Sequence, residues 1–215
     1  MKLAIQHNAK ILALFAVACT AMVSLIYLLT KDTIARQQQL QLLDTLHQVI
    51  APQRLNNDLY LDCQIISDSD LLGSALPQKA YVARWDEQAV AVAMTTVAPN
   101  GYNGNIEILV AINIDSSISG VRVLKHNETP GLGDKIELRK DDWILDFDGK
   151  TLTDSNQMMW TVKKDGGQFD QFTGATITPR AVVQAVTKAH LFWQQNQQQM
   201  LNSPQNCLGA DDDRA

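Results

Sequence analysis

The chain has 215 residues, 46% of them hydrophobic and 19% charged, and a formal net charge of -5 at pH 7. Once a membrane segment is subtracted, this length holds one domain large enough for its own core. The negative charge and the lack of a basic stripe argue against a nucleic-acid surface, so no nucleic-acid partner is expected. The four histidines lie far apart and the three cysteines share no ligand spacing, so neither a metal site nor an iron–sulfur cluster is predicted.

Residues 11–29 form an apolar stretch without a charge, about as long as a helix must be to cross a bilayer core. A cleaved signal peptide has a shorter apolar region. We therefore predict an uncleaved transmembrane helix over residues 11–30, after a short N-terminal segment of residues 1–10. The basic residues on its two sides nearly balance, so the positive-inside count leaves the orientation open.

A second helical pattern follows the apolar stretch. Leu43, Leu46 and Ile50 recur at helical spacing opposite a run of glutamines, and Pro52 ends the pattern. We predict an amphipathic connecting helix over residues 31–52. Its apolar side can lie on the membrane, pack within the domain or contact another subunit.

From residue 80 the pattern changes to the alternation that is typical of half-buried strands. The runs that show it span residues 80–85, 89–96, 106–114 and 118–124. We predict an antiparallel meander whose central reversal lies at residues 100–105, which are rich in Asn and Gly and contain Tyr102. Shorter apolar runs predict two further strands, at residues 63–66 and 160–163.

The last helix has a clear start signal in the sequence. Thr178 is expected to be its N-cap and Pro179 its first residue, because hydroxyl caps and Pro at the first position are typical of helix starts. The apolar residues that recur on one face are Val182, Val186, Ala189 and Trp193. We expect the helix to end near Met200, closing a domain of residues 53–201, and residues 202–215 to form a flexible tail.

These elements predict an α+β fold. A single N-terminal transmembrane helix is followed by one domain that has a mainly antiparallel sheet and flanking helices.

Directly before the last helix, residues 170–176 read Asp-Gln-Phe-Thr-Gly-Ala-Thr. Small and hydroxyl residues at this position usually indicate no more than capping. The first turn of a helix also offers free N–H groups and the positive end of the helix dipole, which favour an anion. Two interpretations are therefore open: a capping sequence, or a phosphate site beside Thr176.

A second short stretch, residues 126–133, reads His-Asn-Glu-Thr-Pro-Gly-Leu-Gly. Pro and Gly favour a turn that leaves the preceding strand, and this alone explains the composition. The carboxylate of Glu128 in such a turn is expected to be solvated rather than catalytic.

Together, the two stretches in this order, the Gly-Tyr-Asn-Gly turn of residues 101–104 and the single membrane helix resemble the G subunit of the Rnf (also called Rsx) electron transport complex. The chain is also similar to the related C subunit of the sodium-pumping NADH:quinone reductase. The resemblance covers nearly the whole chain. It implies an FMN-binding domain whose FMN is joined through its phosphate to Thr176 by a separate flavin transferase, which takes FMN from FAD.

The resemblance also implies which residues surround the flavin. Glycines would let the backbone approach the ring, and Leu132 would pack on its face. No catalytic residue and no metal ligand are expected. Besides Thr176, the implied cofactor-binding residues are Tyr102, Glu128, Thr129, Gly131, Leu132, Gly133, Thr173, Gly174, Ala175 and Thr178.

As the resemblance implies, the chain would be a flavoprotein subunit, not an autonomous enzyme, of a complex that couples electron transfer between ferredoxin and NADH to ion translocation. In some bacteria, such a complex keeps a redox-sensing regulator reduced. The partners would be the other membrane and iron–sulfur subunits, because the chain has no nucleotide-binding or cluster-binding motif of its own. The flavin domain would lie in the periplasm, with the N-terminus on the cytoplasmic side of the bacterial inner membrane. The alternative is a membrane-anchored structural or ligand-binding assembly module without covalent flavin.

A periplasmic domain would place Cys63 and Cys207 in an oxidising compartment, with Cys19 in the membrane span. A disulfide between Cys63 and Cys207 is then one interpretation. Two separate thiols are the other, because the sequence does not give the distance between their Cα atoms.

Overall fold

The computed structural model describes residues 2–203 and 206–207, with side chains from residue 6 onward. Most of the predicted flexible tail, residues 204–205 and 208–215, lies outside the described residues. The chain divides into two compact units, Met1–Asp44 and Thr45–Ala215, which are treated separately below.

The first unit is the greater part of one helix, α1, which spans Lys2–Val49. Among the described residues, α1 is the one helix long and apolar enough to cross a membrane. Its side chains over residues 11–29 are exposed, as those of a lipid-facing helix would be. At 1.5 Å per residue, α1 is about 72 Å long, more than twice the thickness of a bilayer core. α1 covers the predicted transmembrane helix and residues 31–49 of the predicted connecting helix, and it ends three residues before the predicted end at Pro52.

The second unit contains a five-stranded antiparallel sheet in the order β1-β2-β3-β4-β5. Its strands span Cys63–Ile66, Gln78–Trp85, Gln88–Gly101, Gly104–Asn113 and Ile118–Lys125. The predicted meander is confirmed, and the short strand predicted at residues 63–66 is β1. β3 runs beyond the predicted end at Thr96 because the ladder continues to the pair Gly101 and Gly104 at the central turn.

The helix α2, Ile177–Asn202, lies on one face of this sheet. Its predicted apolar face is confirmed, because the side chains of that face are fully or almost fully removed from solvent: Val182, Val186, Ala189 and Trp193. They share one core with residues of the central strands, including Met94 on β3 and Val110 on β4.

The opposite face of the sheet is covered near β5. Gly120 on β5 pairs with Ala111, the neighbour of Val110, and therefore points away from α2. A Cβ at Gly120 would lie 3.0 Å from the Cα of Val49, at the end of α1. Ser119 donates its hydroxyl to the carbonyl of Val49 at 2.7 Å. The sequence left three alternatives for the apolar side of the connecting helix. In the structure, the last turn of this helix packs within the domain.

The chain between β5 and α2 contains short 3₁₀ helices separated by irregular segments. They span Gly133–Ile136, Asp142–Phe147, Gln157–Met159 and Lys163–Asp165. The prediction of a strand at residues 160–163 was wrong, since Val162 makes only an isolated bridge with Phe169. Trp160 is buried with its ring centroid 5.5 Å from that of Phe169, so aromatic packing rather than a strand ladder fixes this stretch.

Cys63 on β1 and Cys207 form a disulfide, with their Cα atoms 5.4 Å apart. The adjacent N–H of Asn206 donates to the carbonyl of Cys63 at 3.0 Å. The sequence left open whether these two cysteines are bonded or separate thiols, and in the structure they are bonded. The chain after α2 is thereby tied to an edge strand of the sheet.

His190 connects α2 to the turn between β4 and β5. Its side chain is fully buried, and its Nε2 lies 2.7 Å from the carbonyl oxygen of Ser116. Because a carbonyl only accepts, Nε2 carries the proton of this hydrogen bond. Burial lowers the pKa of His190 from its ordinary value of 6.5, so the neutral ring persists into mildly acidic conditions.

We expect His190 to make the folded chain less stable as the pH falls from about 7.5 to about 5.5. The unfolded chain takes up a proton at His190 below about pH 6.5, whereas the folded chain resists it. The free energy of unfolding is therefore highest above that pH and declines below it, by at most about 1.4 kcal/mol per pH unit.

Urea unfolding at both pH values measures this change in the free energy of unfolding. His190→Gln should have a smaller pH dependence than the wild type. Equal pH dependence in wild type and His190→Gln would contradict this account.

Candidate functional site

The two sequence motifs meet at a cavity of about 240 Å³ at the start of α2. The turn between β3 and β4 also reaches it. Its lining residues are Tyr102, Glu128, Thr129, Leu132, Gly133, Gly174, Ala175, Thr176, Ile177 and Thr178. Of the predicted site residues, Gly131 and Thr173 belong to the same loops but do not line the cavity. The sequence analysis did not predict Ile177 as a site residue. The signal that could have identified it is its position as an apolar residue next to the implied acceptor threonine. In the structure its side chain is 46% exposed.

Backbone hydrogen bonds close the loop after β5 into a compact turn. The carbonyl of Thr129 accepts the N–H groups of Leu132 and Gly133, at 3.2 and 3.1 Å. Gly131 has φ +77°, a conformation that favours glycine. The turn leaves Leu132 43% exposed in the wall of the cavity.

The loop before α2 is closed in a similar way. The N–H of Ala175 donates to the carbonyl of Phe172 at 3.1 Å, and Gly174 has φ +81°. Behind this loop, the indole Nε1 of Trp143 donates to the carbonyl of Asp170 at 2.8 Å. The Trp143 ring also packs edge-on against Phe172, with centroids 5.2 Å apart. The aromatic core therefore holds this loop in place.

The start of α2 differs from the prediction. The helix begins at Ile177, and Thr176 occupies the N-cap position with φ -68° and ψ -27°. The hydroxyl of Thr176 makes no capping hydrogen bond. The prediction that Thr178 is the N-cap was wrong, because its buried hydroxyl donates to Oε2 of Glu128. A carboxylate is a stronger acceptor than a neutral group, so it holds the Thr178 hydroxyl inside the domain.

Glu128 is only 4% exposed, which corrects the expectation of a solvated carboxylate. Its Oε1 accepts the N–H of Asn103 in the β3–β4 turn at 3.0 Å, and its Oε2 accepts the hydroxyl of Thr178. One side chain therefore joins the three segments that surround the cavity.

Neighbouring polar groups hold the backbone of Glu128. Its N–H donates to Nδ1 of His126 at 3.0 Å, and Nε2 of His126 lies 2.7 Å from Oε1 of Glu137. With Nδ1 accepting, the ring carries its proton on Nε2 and donates it to Glu137. Hydrogen bonding from Arg139, and secondarily from His126, lowers the pKa of Glu137, so this carboxylate stays ionised as the acceptor.

The first turn of α2 provides donors for an anion. The N–H groups of Ile177 and Thr178 precede the first intrahelical hydrogen bonds, as the first N–H groups of any helix do. Pro179 has no N–H, and that of Arg180 donates to the carbonyl of Thr176 at 3.3 Å. Two backbone donors and the positive end of the helix dipole therefore lie next to the Thr176 hydroxyl, an arrangement that fits a phosphate group.

Residues 101–190, which contain all three segments of the site, match the family model of the FMN-binding domain. The protein is thus of the FMN-binding class, as the sequence predicted. Residues 1–49 match the model of the RnfG N-terminal region.

Relatives of full length specify the family further. The G subunit of the ion-translocating oxidoreductase complex from Shewanella loihica is 52% identical, over 96% of this chain and 98% of that protein. Its counterpart from Vibrio cholerae is 52% identical, over 97% of this chain and 100% of its own. That from Shewanella piezotolerans is 48% identical over 96% and 98%. The chain belongs to the G-subunit family of ion-translocating oxidoreductase complexes.

We expect Gly133→Ala to distort the site. A Cβ at Gly133 would lie 2.8 Å from Oγ1 of Thr178 and 2.9 Å from Oε2 of Glu128, both closer than side chains tolerate. Overpacking of this kind costs about 1–3 kcal/mol. Thermal unfolding and the visible circular dichroism of bound flavin would both change.

Gly149→Ala is the matched control. Gly149 has φ +74° but open space around its Cβ position, so alanine there brings backbone strain without a clash. This variant should lose some stability and keep the flavin spectrum of the wild type. An unaltered spectrum in Gly133→Ala would show that the close packing at residue 133 does not shape the site.

Proposed function

We propose that the chain is the subunit of its complex that carries electrons on FMN, joined through its phosphate to Thr176. The observation that carries the proposal is the position of the Thr176 hydroxyl. It lines the cavity, makes no capping hydrogen bond, and lies at the first turn of a 26-residue helix. The two neighbouring threonines lack this combination, because Thr178 is buried against Glu128 and Thr173 does not line the cavity.

The cavity fits the flavin ring as an open site. Its volume of about 240 Å³ is below the roughly 300–1,000 Å³ of pockets that enclose a ligand of this kind. Exposed apolar side chains of Tyr102, Leu132 and Ile177 line it and offer surface to a flat ring. A ring held on an open surface gains little from burial, which explains why a covalent tether would be needed to retain it.

The attachment is a group transfer that Thr176 can accept. A bond forms between Oγ1 of Thr176 and the phosphorus of the FMN portion of FAD. The pyrophosphate bond of FAD breaks, AMP leaves, and the hydroxyl proton is released. The catalysis belongs to a separate flavin transferase, for which the exposed Thr173 and Gly174 leave the approach open. At the helix start, the remaining phosphate charge gains about 0.3–1 kcal/mol.

Bound FMN exchanges one or two electrons, and the residues of the cavity orient it and tune its potential. Neither a nucleotide-binding motif nor a cluster of metal ligands occurs among the described residues. Electrons must therefore arrive from and leave to other subunits. We propose that these link ferredoxin and NADH to ion translocation, and that in some bacteria the complex keeps a redox-sensing regulator reduced.

We propose that the second unit lies in the periplasm and the N-terminus in the cytoplasm. The disulfide between Cys63 and Cys207 supports this placement, because disulfides persist in oxidising compartments and are rare in the cytosol. The free Cys19 lies on the apolar part of α1.

Thr176→Ala is expected to abolish covalent flavin. Protein made in a host that has the flavin transferase is denatured, separated by electrophoresis and viewed under ultraviolet light, where only a covalent flavin gives a fluorescent band. Thr173→Ala should keep the band. Thr178→Ala should also keep it while losing about 1–3 kcal/mol of stability with its hydrogen bond to a buried carboxylate. A fluorescent Thr176→Ala band would overturn the acceptor assignment, and a dark wild-type band would favour an assembly module without flavin.

A fusion of alkaline phosphatase after residue 215 should be active in intact cells, because this enzyme folds only when exported. The same fusion lacking residues 11–29 should be inactive, since the apolar stretch directs the chain to the membrane. The opposite orientation would give an inactive full-length fusion and a fluorescent green fluorescent protein fusion at the same position.

A further inference from the structure

Glu128 is a buried carboxylate without a cationic partner. It is 4% exposed and forms no ion pair with any residue that the structure describes. Buried glutamates are normally paired with a cation, because an isolated charge is costly to remove from water. A buried carboxylate without a cationic partner in the wall of a cavity indicates a role toward the molecule that the cavity binds.

Both oxygens of Glu128 act as acceptors. Oε1 accepts from a backbone N–H and Oε2 accepts from a threonine hydroxyl, as an ionised carboxylate does. Neither donor carries a charge, so the hydrogen bonds stabilise the anion without neutralising it.

Among the described residues, no cation of the surrounding loops forms an ion pair with Glu128. His126 accepts a hydrogen bond at Nδ1 and is therefore neutral. Four other cations pair with other carboxylates: Arg139 with Glu137, Lys140 with Asp134, Lys163 with Asp170, and Arg180 with Asp165. Lys135, which is exposed on the first 3₁₀ helix after β5, forms no ion pair with Glu128. No ion pair within the described residues therefore neutralises the negative charge of Glu128.

At two glycines the backbone lies very close to the carboxylate of Glu128. A Cβ at Gly101 would lie 2.9 Å from Oε1, and a Cβ at Gly133 would lie 2.9 Å from Oε2. The close approach on both sides leaves the carboxylate no room to turn away from its two donors. Its charge is thus fixed in position.

We propose that Glu128 is a fixed negative charge that lowers the reduction potential of the flavin. The inference rests on the proposed function, namely that FMN occupies this cavity. Reduction brings further negative charge into the cavity, and the carboxylate in its wall opposes that charge by Coulomb repulsion. Because Glu128 is buried, solvent screens its charge less than that of an exposed carboxylate. Glu128 therefore favours the oxidised cofactor and makes the reduced one a stronger electron donor.

The test is a redox titration of the full-length protein in detergent, loaded with flavin in a host that has the transferase. Dithionite is the reductant, and visible absorbance reads the fraction reduced. Glu128→Gln removes the charge, and its amide can hydrogen-bond to both partners. We expect the ratio of reduced to oxidised flavin at a fixed potential to rise about tenfold. Glu107→Gln removes an exposed carboxylate on β4 that does not line the cavity, and should leave the ratio unchanged.

Two further variants separate charge from packing. Thr178→Val removes one hydrogen bond but keeps the charge, so the ratio should not rise. Glu128→Met combined with Thr178→Val replaces both partners with apolar groups, which buried sites tolerate better than a lone deletion. This double variant should raise the ratio as Glu128→Gln does, and it serves as the test if Glu128→Gln does not fold. Circular dichroism verifies folding.

The two proposals fail in different ways. If wild-type protein carries no covalent flavin, the proposed function is wrong and no titration can be made. If flavin is attached but both charge-removing variants titrate like the wild type, the role of Glu128 is wrong and the proposed function stands. The proposed role of Glu128 would also be overturned if the ratio of reduced to oxidised flavin rose as much in Thr178→Val as in Glu128→Gln. Loosening of the site would then explain the rise in both variants.

Discussion

The carboxylate of Glu128 accepts hydrogen bonds from Asn103 on one side and Thr178 on the other, and the geometry of the cavity depends on this junction. Asn103 belongs to a turn that is fixed by the pairing of β3 with β4. Thr178 belongs to a helix that is fixed by the core. The loop that carries Glu128 has only short 3₁₀ structure after it, so its position is set by these two contacts and by His126. These contacts thereby anchor the loop that carries Glu128 to the sheet and to α2.

The site combines a rigid frame with an open cavity. The sheet, α2 and the aromatic residues behind the 170–176 loop hold the walls, while Leu132, Tyr102 and Ile177 stay exposed. An electron carrier benefits from this combination, because a rigid frame keeps the potential of its cofactor constant and an open cavity lets a partner approach closely. The same openness gives little binding energy, which makes a covalent link to Thr176 physically reasonable.

The sequence predicted most of the fold because its signals are local. Alternation located β2 to β5, helical spacing located the buried face of α2, and the length of the apolar stretch located the candidate membrane span. The motifs also predicted most of the residues around the cavity. Their roles toward a flavin stay predictions.

The rest of the site could not be predicted, because it depends on contacts between distant residues. Glu128 and Thr178 are 50 positions apart, and only the folded chain shows that their side chains meet. That contact explains both errors at the site, the N-cap assigned to Thr178 and the solvated carboxylate assigned to Glu128. The strand predicted at residues 160–163 failed for a similar reason, since Trp160 is held by rings from other parts of the chain.

The central claim is that FMN is held at this cavity by a bond to Thr176, and peptide mass analysis tests it most directly. Cleavage after Lys164 and Arg180 gives one peptide that contains all three threonines of the loop. In protein from a host with the flavin transferase, this peptide should be heavier by the mass of FMN less one water. Fragmentation should place the added mass on Thr176. An unmodified peptide, or the added mass on Thr173 or Thr178, would contradict the account.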